Sequence, residues 1–137
     1  MEDPDLYVDD DMEPDAELNR ITNNIMGAAI AVHRELGPGY MESTYENSLA
    51  LEFRARGIQF ERQALIPVLY RGEKVGEARV DFVVERSVIL ELKAAESIAP
   101  IHVAQCVSYL KASRLRLAIL LNFNVRKLKD GIRRIAL

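Results

Sequence analysis

The side chains best suited to chemistry lie between Asp81 and Lys93, in the run DFVVERSVILELK. Its alternation predicts two strands joined by a tight turn, the first carrying Asp81 and the second spanning Val88 to Lys93. Side chains alternate across a strand, so Glu91 and Lys93 share one face with Ile89, while Val88, Leu90 and Leu92 take the other. Burying an unpaired charge costs several kcal/mol, so charges in so apolar a run need partners. Two carboxylates on adjacent strands, with an amine beside them, suit a metal ion that activates water. The plainer alternative is a strand end whose charges reach solvent.

Helices must bring further groups to this stretch. Apolar residues recur at Leu18, Ile21, Ile25, Ala28, Val32 and Leu36, predicting a helix from Ala16 to Leu36 with His33 and Arg34 near its end. Gly37-Pro38-Gly39 stops it. A second helix is predicted from Met41 to Arg56, with Gly57 as its C′ residue. Its inward stripe is Tyr45, Leu49 and Phe53, and one turn earlier that stripe passes through Glu42. Glu42 is therefore expected to point inward beside Tyr45, with Glu46 and Glu52 toward water. The alternative is that Glu42 only complements the helix dipole.

The pattern turns extended from Ile58 to Tyr70, where Pro67 favours an edge position or a bulge. Arg71 to Lys74 reads as a hairpin turn and Glu77 to Val84 as the return strand, so that Val88–Lys93 completes a three-stranded meander. After a loop over Ala94–Ala99, Pro100 opens a third helix to about Ala112. Gln105 and Tyr109 are four residues apart and share a face of it. The alternative there is a half-buried aromatic beside an exposed amide. A fourth strand, Leu115 to Phe123, is placed to pair parallel with Val88–Lys93 across the helical crossover. Arg126, Lys127, Lys129, Arg133 and Arg134 form a basic segment, read either as phosphate contacts or as a solvated edge. Ile132 to Leu137 is expected to add a short last strand.

A chain of 137 residues suits one domain, and a hydrophobic fraction of 49% supports a proper core. Cys106 is the only cysteine, which excludes an internal disulfide and a cysteine-cluster zinc site. No apolar run reaches membrane-spanning length and no charged-then-apolar leader precedes the chain, so a soluble, cytoplasmic protein is expected. The net charge of −3 hides an asymmetry. Residues 1–16 hold eight acids and no Lys or Arg, which leaves thirteen acids against eighteen bases in residues 17–137. The expected organisation is a disordered acidic tail, 1–16, followed by one mildly basic domain, 17–137. Such a body is compatible with a polyanionic partner.

Together these features resemble a known family. Gly39-Tyr-Met-Glu-Ser-Thr-Tyr45 matches the GxxExxY motif. Glu91-Leu92-Lys93, with Asp81 ten residues before it, matches the core of the PD-(D/E)XK nuclease superfamily, although Val80 stands where that motif often has proline. Gln105 and Tyr109 match the QxxxY element of the RecB-type exonuclease branch. The chain thus resembles GxxExxY proteins, a small bacterial family within that superfamily. The resemblance implies an α/β (α+β) fold with a restriction-endonuclease-like core, a central mixed β-sheet flanked by helices. It implies Mg²⁺-dependent hydrolysis of phosphodiester bonds in DNA or RNA, with Mn²⁺ able to substitute. Asp81 and Glu91 would be the principal metal ligands, Glu42 would help hold the metal or its water, and Lys93 would orient the attacking water. Gln105, Tyr109 and Tyr45 would position substrate. Some RecB-type members take a histidine ligand from an upstream helix, for which His33 is the candidate here. The partner implied is nucleic acid, with a homodimer or a protein partner as a source of specificity. The superfamily also holds members that bind nucleic acid or partners without cutting, which is the alternative reading.

Overall fold

The structure, a computed structural model, describes residues 16–137. The acidic stretch expected as a disordered tail lies outside the described residues, apart from Ala16, which begins the first helix. Helix α1 (Ala16–Leu36) buries Leu18, Ile21, Ile25, Ala28, Ala29 and Val32 along one stripe, as its spacing requires. It ends where Gly37, at φ 67°, returns its N–H to the His33 carbonyl at 2.8 Å. Helix α2 (Glu42–Ala55) buries Tyr45, Leu49, Ala50 and Phe53. Its end is closed by paired bonds from Gly57 N–H to Arg54 O and from Ile58 N–H to Phe53 O. That pattern needs the left-handed backbone that Gly57 supplies.

Five strands follow around α3 (Pro100–Ser113): β1 (Phe60–Tyr70), β2 (Glu73–Val84), β3 (Val88–Lys93), β4 (Leu117–Asn122) and β5 (Ile132–Ala136). The sheet runs in the order β1-β2-β3-β4-β5, with β3 and β4 parallel across the α3 crossover and the other pairs antiparallel. This is the mixed α+β architecture expected, and Pro67 lies on the edge strand β1, one residue before a register shift at Val68/Leu69. Strand β2 begins four residues earlier than Glu77. The reason is a turn of only two central residues, Arg71 and Gly72, both at positive φ, which lets Tyr70 pair with Glu73. A 3₁₀ turn at Leu128–Gly131, before β5, has no counterpart in the sequence reading.

The two faces of the sheet bury separate clusters. Phe82, Val84, Val88, Leu90, Leu92, Ile119 and Leu121 pack against α1 and α2. Ile89, Ala118, Leu120 and Ile135 pack against Cys106, Val107 and Leu110 of α3. Strand β3 is therefore covered on both faces.

Candidate active site

The β2–β3 ladder pairs Val84 with Val88, Val83 with Ile89 and Phe82 with Leu90, and ends there. One step further, Asp81 would face Glu91. Instead, each carboxylate accepts a backbone N–H from the opposite strand. The Asp81 N–H donates to Glu91 Oε1 at 2.7 Å, and the Leu92 N–H donates to Asp81 Oδ2 at 2.8 Å. The β1–β2 ladder also skips this level, passing from Arg62–Phe82 to Ala64–Val80, and Gln63 takes a φ of 52°. Regular alternation would put Val80 and Phe82 on one face, yet they belong to opposite clusters. Strand β2 thus turns over at Asp81, and the side-chain bonds replace the ladder bonds lost there.

The crossed bonds hold two acids close together and largely out of water. Glu91 is 8% exposed and Asp81 is half-buried. Burial raises the Glu91 pKa to about 7, with the Asp81 charge adding to it, while the Asp81 N–H and Lys93 act in the opposite direction. Asp81 is also raised, first by burial, against the Leu92 N–H bond, with Glu46 and Glu42 contributing repulsion. Lys93 sits two residues beyond Glu91 on the same face, half-buried, and makes no side-chain hydrogen bond or ion pair among the described residues. The chain behind it is fixed by Asn122, its partner in the β3–β4 ladder. The buried Asn122 amide accepts from Ala95 N–H at 3.1 Å and donates to Ala95 O at 2.9 Å.

Helix α3 brings Tyr109 and Cys106 to the carboxylates. The Tyr109 hydroxyl is raised by burial and then by the Glu91 charge. Cys106 is buried, its thiol pushed up to about 12 by burial, so it is a neutral packing group, as its apolar setting predicts. Gln105 is exposed one turn before Tyr109, and no side-chain bond ties it to the carboxylates.

Helix α2 contributes differently from the sequence expectation. Glu42, its first residue, is exposed rather than inward, although its charge reaches both Asp81 and Glu91. Glu46, expected toward water, is the better-buried acid. It accepts from Arg62 Nε at 2.6 Å and from Gln63 Nε2 at 2.7 Å, and the same Gln63 nitrogen donates to Asp81 Oδ1 at 3.3 Å. The i,i+4 spacing from Glu42 to Glu46 was the available signal, since it stacks both acids on one face. Tyr45 is fully buried, stacked on Phe123 at 4.6 Å, and its hydroxyl donates to Gly37 O at 2.6 Å while accepting from Tyr40 N–H at 3.2 Å. It holds the loop before α2 rather than an open substrate surface. His33 is buried too, with Nε2 bonded to Val125 O at 2.8 Å, and no bond or charge contact ties it to Asp81 or Glu91.

Among the described residues no three His, Cys, Asp or Glu side chains stand together as a metal-holding group, so the expected trio Glu42, Asp81 and Glu91 is not closed. The inner pair nevertheless fits a hard divalent cation. Both are oxygen donors, and their mutual repulsion is what a dication would relieve. Mg²⁺ commonly takes one or two carboxylates and keeps its waters.

The family model of the PD-(D/E)XK nuclease superfamily matches residues 19–135, and the chain belongs to that superfamily. Nucleases of this class are generally dependent on a divalent metal. No curated protein and no solved structure matches the chain. No helix among the described residues is long and apolar enough to cross a membrane.

Proposed function

We propose that the protein is a metal-dependent nuclease of the GxxExxY type that hydrolyses phosphodiester bonds in DNA, its domain spanning residues 17–137 and acting in the cytoplasm. The observation that carries this reading is the crossed Asp81–Glu91 pair beside an unpaired Lys93. A buried carboxylate and a half-buried one that repel each other are costly to stability, and a structural role alone would be served better by apolar residues. Asp81 and Glu91 would hold Mg²⁺ or Mn²⁺, and Glu42 would help hold the metal or its water. When bound, such an ion would supply a more acidic water and offset charge on the phosphate. Lys93 orients the attacking water and stabilises the phosphate in flight. Tyr109 and Gln105 position the substrate backbone from α3, and Glu46, through Gln63, fixes the orientation of Asp81.

The test is digestion of single-stranded DNA, duplex DNA and RNA with Mg²⁺, wild type beside Glu91→Gln and Lys93→Ala, with EDTA controls. Cleavage that requires metal and disappears in both variants is expected. Equal cleavage by all three proteins would contradict the reading. The exposed Glu42 and the unclosed trio favour a second reading, a domain that binds nucleic acid without cutting it. Such a domain has no need of a cation at Asp81 and Glu91, so metal binding separates the two.

A further inference from the structure

We infer that the groove between the end of α1 and the 125–129 loop holds the sugar–phosphate backbone of a nucleic acid, as a site separate from the carboxylates. This rests on the nuclease reading and adds where the substrate strand lies. The groove encloses about 460 Å³ and is lined by Arg34, Arg126, Lys127 and Lys129, with His33 at its side and no carboxylate on its wall. All four cations are exposed, and none forms an ion pair among the described residues. Glu35 and Asp130 neighbour them in sequence but do not line the groove. A larger cavity of about 750 Å³ also holds three arginines, Arg54, Arg62 and Arg86, but Glu61 and Glu85 share its wall. Of these two, only the α1 groove is of one sign.

Its frame is rigid. His33 Nε2 is bonded to Val125 O, Leu128 is buried, and Gly131 packs so closely on the Asn122 carbonyl that a Cβ there would come within 2.1 Å. Three cations of the loop are thus held next to Arg34 rather than free to disperse. The negative end of the α1 dipole accounts for one cation in the last turn, not for three supplied by another segment. Phosphates spaced along a strand match such an arrangement. A short path of chain links the groove to the carboxylates. Gly37 lines it, the Tyr45 hydroxyl is bonded to Gly37 O, and five residues after Gly37 the chain reaches Glu42, whose charge acts on Asp81 and Glu91. Of the basic segment noted in the sequence, Arg126, Lys127 and Lys129 join the groove. Arg133 and Arg134 lie within β5, opposite Leu120 and Ile119.

The experiment is fluorescence anisotropy of labelled single-stranded and duplex oligonucleotides with the full chain in EDTA, as a function of salt. The proteins compared are wild type, the triple variant Arg126→Gln/Lys127→Gln/Lys129→Gln, Arg34→Gln, and a control, Arg54→Gln/Arg86→Gln. The triple variant is expected to bind at least about tenfold more weakly at low salt. It should also lower the slope of log K against log salt by about 3 on duplex DNA, at roughly 0.9 per lost phosphate contact. Arg34→Gln should lower it by about 1, and the control should change neither quantity. Unchanged affinity and slope in the triple variant, or an equal loss in the control, would overturn the groove. Parallel digestion with Mg²⁺ keeps the two ideas apart. Wild-type cleavage with intact binding by the groove variants overturns the groove alone, whereas a wild type that neither binds nor cuts overturns both.

Discussion

The two faces of β3 are built from the same six residues to opposite ends. On one face Val88, Leu90 and Leu92 are buried against α1 and α2 and carry no polar atom beyond the backbone. On the other, Ile89 is followed by Glu91 and Lys93, pointing toward α3 and the end of the sheet. Both faces exclude water, yet only the second holds charge. The difference lies in the backbone. Where β2 and β3 are parted, just before Phe82, the freed N–H groups of Asp81 and Leu92 become donors to carboxylates. A carboxylate receiving such bonds is tolerated at a depth that would otherwise expel it. The apolar face supplies stability, and the charged face draws on it.

The largest separation between the faces should appear in matched substitutions. Lys93→Ala is expected to lower the rate of DNA cleavage by about 10²–10³-fold, the usual loss when one preorganised stabilising group is removed, with little change in melting temperature. Leu90→Ala should do the opposite. Leu90 is fully buried, so about 2–5 kcal/mol of stability should be lost in denaturant unfolding, with the rate per folded molecule nearly unchanged. Similar effects of both substitutions on both measurements would break the comparison.

The pH dependence of stability sharpens it. In the folded, metal-free protein the Glu91 pKa is raised from 4.5 to about 7, so the fold holds this proton more tightly than the unfolded chain does. Its stabilising contribution is complete below about pH 4.5 and is lost as pH rises to about 7. Above that, the ionised group costs about 3 kcal/mol, at 1.36 kcal/mol per pKa unit. Asp81 shifts the same way and adds to the trend. Glu91→Gln keeps an acceptor for the Asp81 N–H but cannot ionise. It should therefore be more stable than wild type at pH 8 without metal, and its stability should fall less between pH 5 and 8 in thermal scans. A wild type that gains stability over that interval would contradict the assignment.

Smaller effects test the supports. Asn122→Ala leaves the Ala95 amide without its side-chain acceptor and the Ala95 carbonyl with only the 3.4 Å bond from Asn124 Nδ2, at a cost of about 1–3 kcal/mol. By loosening the chain behind Lys93 it should lower kcat more than it changes KM. Tyr45→Phe removes the hydroxyl that donates to Gly37 O and accepts from Tyr40 N–H, and should cost about 1 kcal/mol in denaturant unfolding.

Much of the fold was legible because it follows from period and punctuation. The bounds of α1 and β3 match the sequence reading, the 3.6-residue stripe and the apolar run leaving little freedom. The parallel β3–β4 pairing followed from the helix between them. Of the candidate site, the grouping was legible in types and spacing: Asp81 and Glu91 meet with Lys93 beside them, and Tyr109 of α3 feels the Glu91 charge. What the sequence withheld depends on three-dimensional departures from regularity. The crossed bonds exist only because two strands part at one level and Gln63 adopts a positive φ, which no local pattern announces. Glu42 and Glu46 exchanged their expected exposures because the first residue of a helix sits at its rim, while the acid one turn later meets Arg62 and Gln63 from β1. Tyr45 was legible as an inward residue, but its bond to Gly37 depends on how the loop between two helices folds back.

Under the proposed function, Asp81 and Glu91, held close by the crossed bonds and repelling each other, would receive a divalent cation. The most direct test of this is calorimetric titration of Mn²⁺ into the metal-free protein at pH 8, comparing wild type with Asp81→Asn and Glu91→Gln. One site is expected in wild type, lost or at least about tenfold weaker in each variant. No binding by wild type, or equal binding by all three, would contradict it.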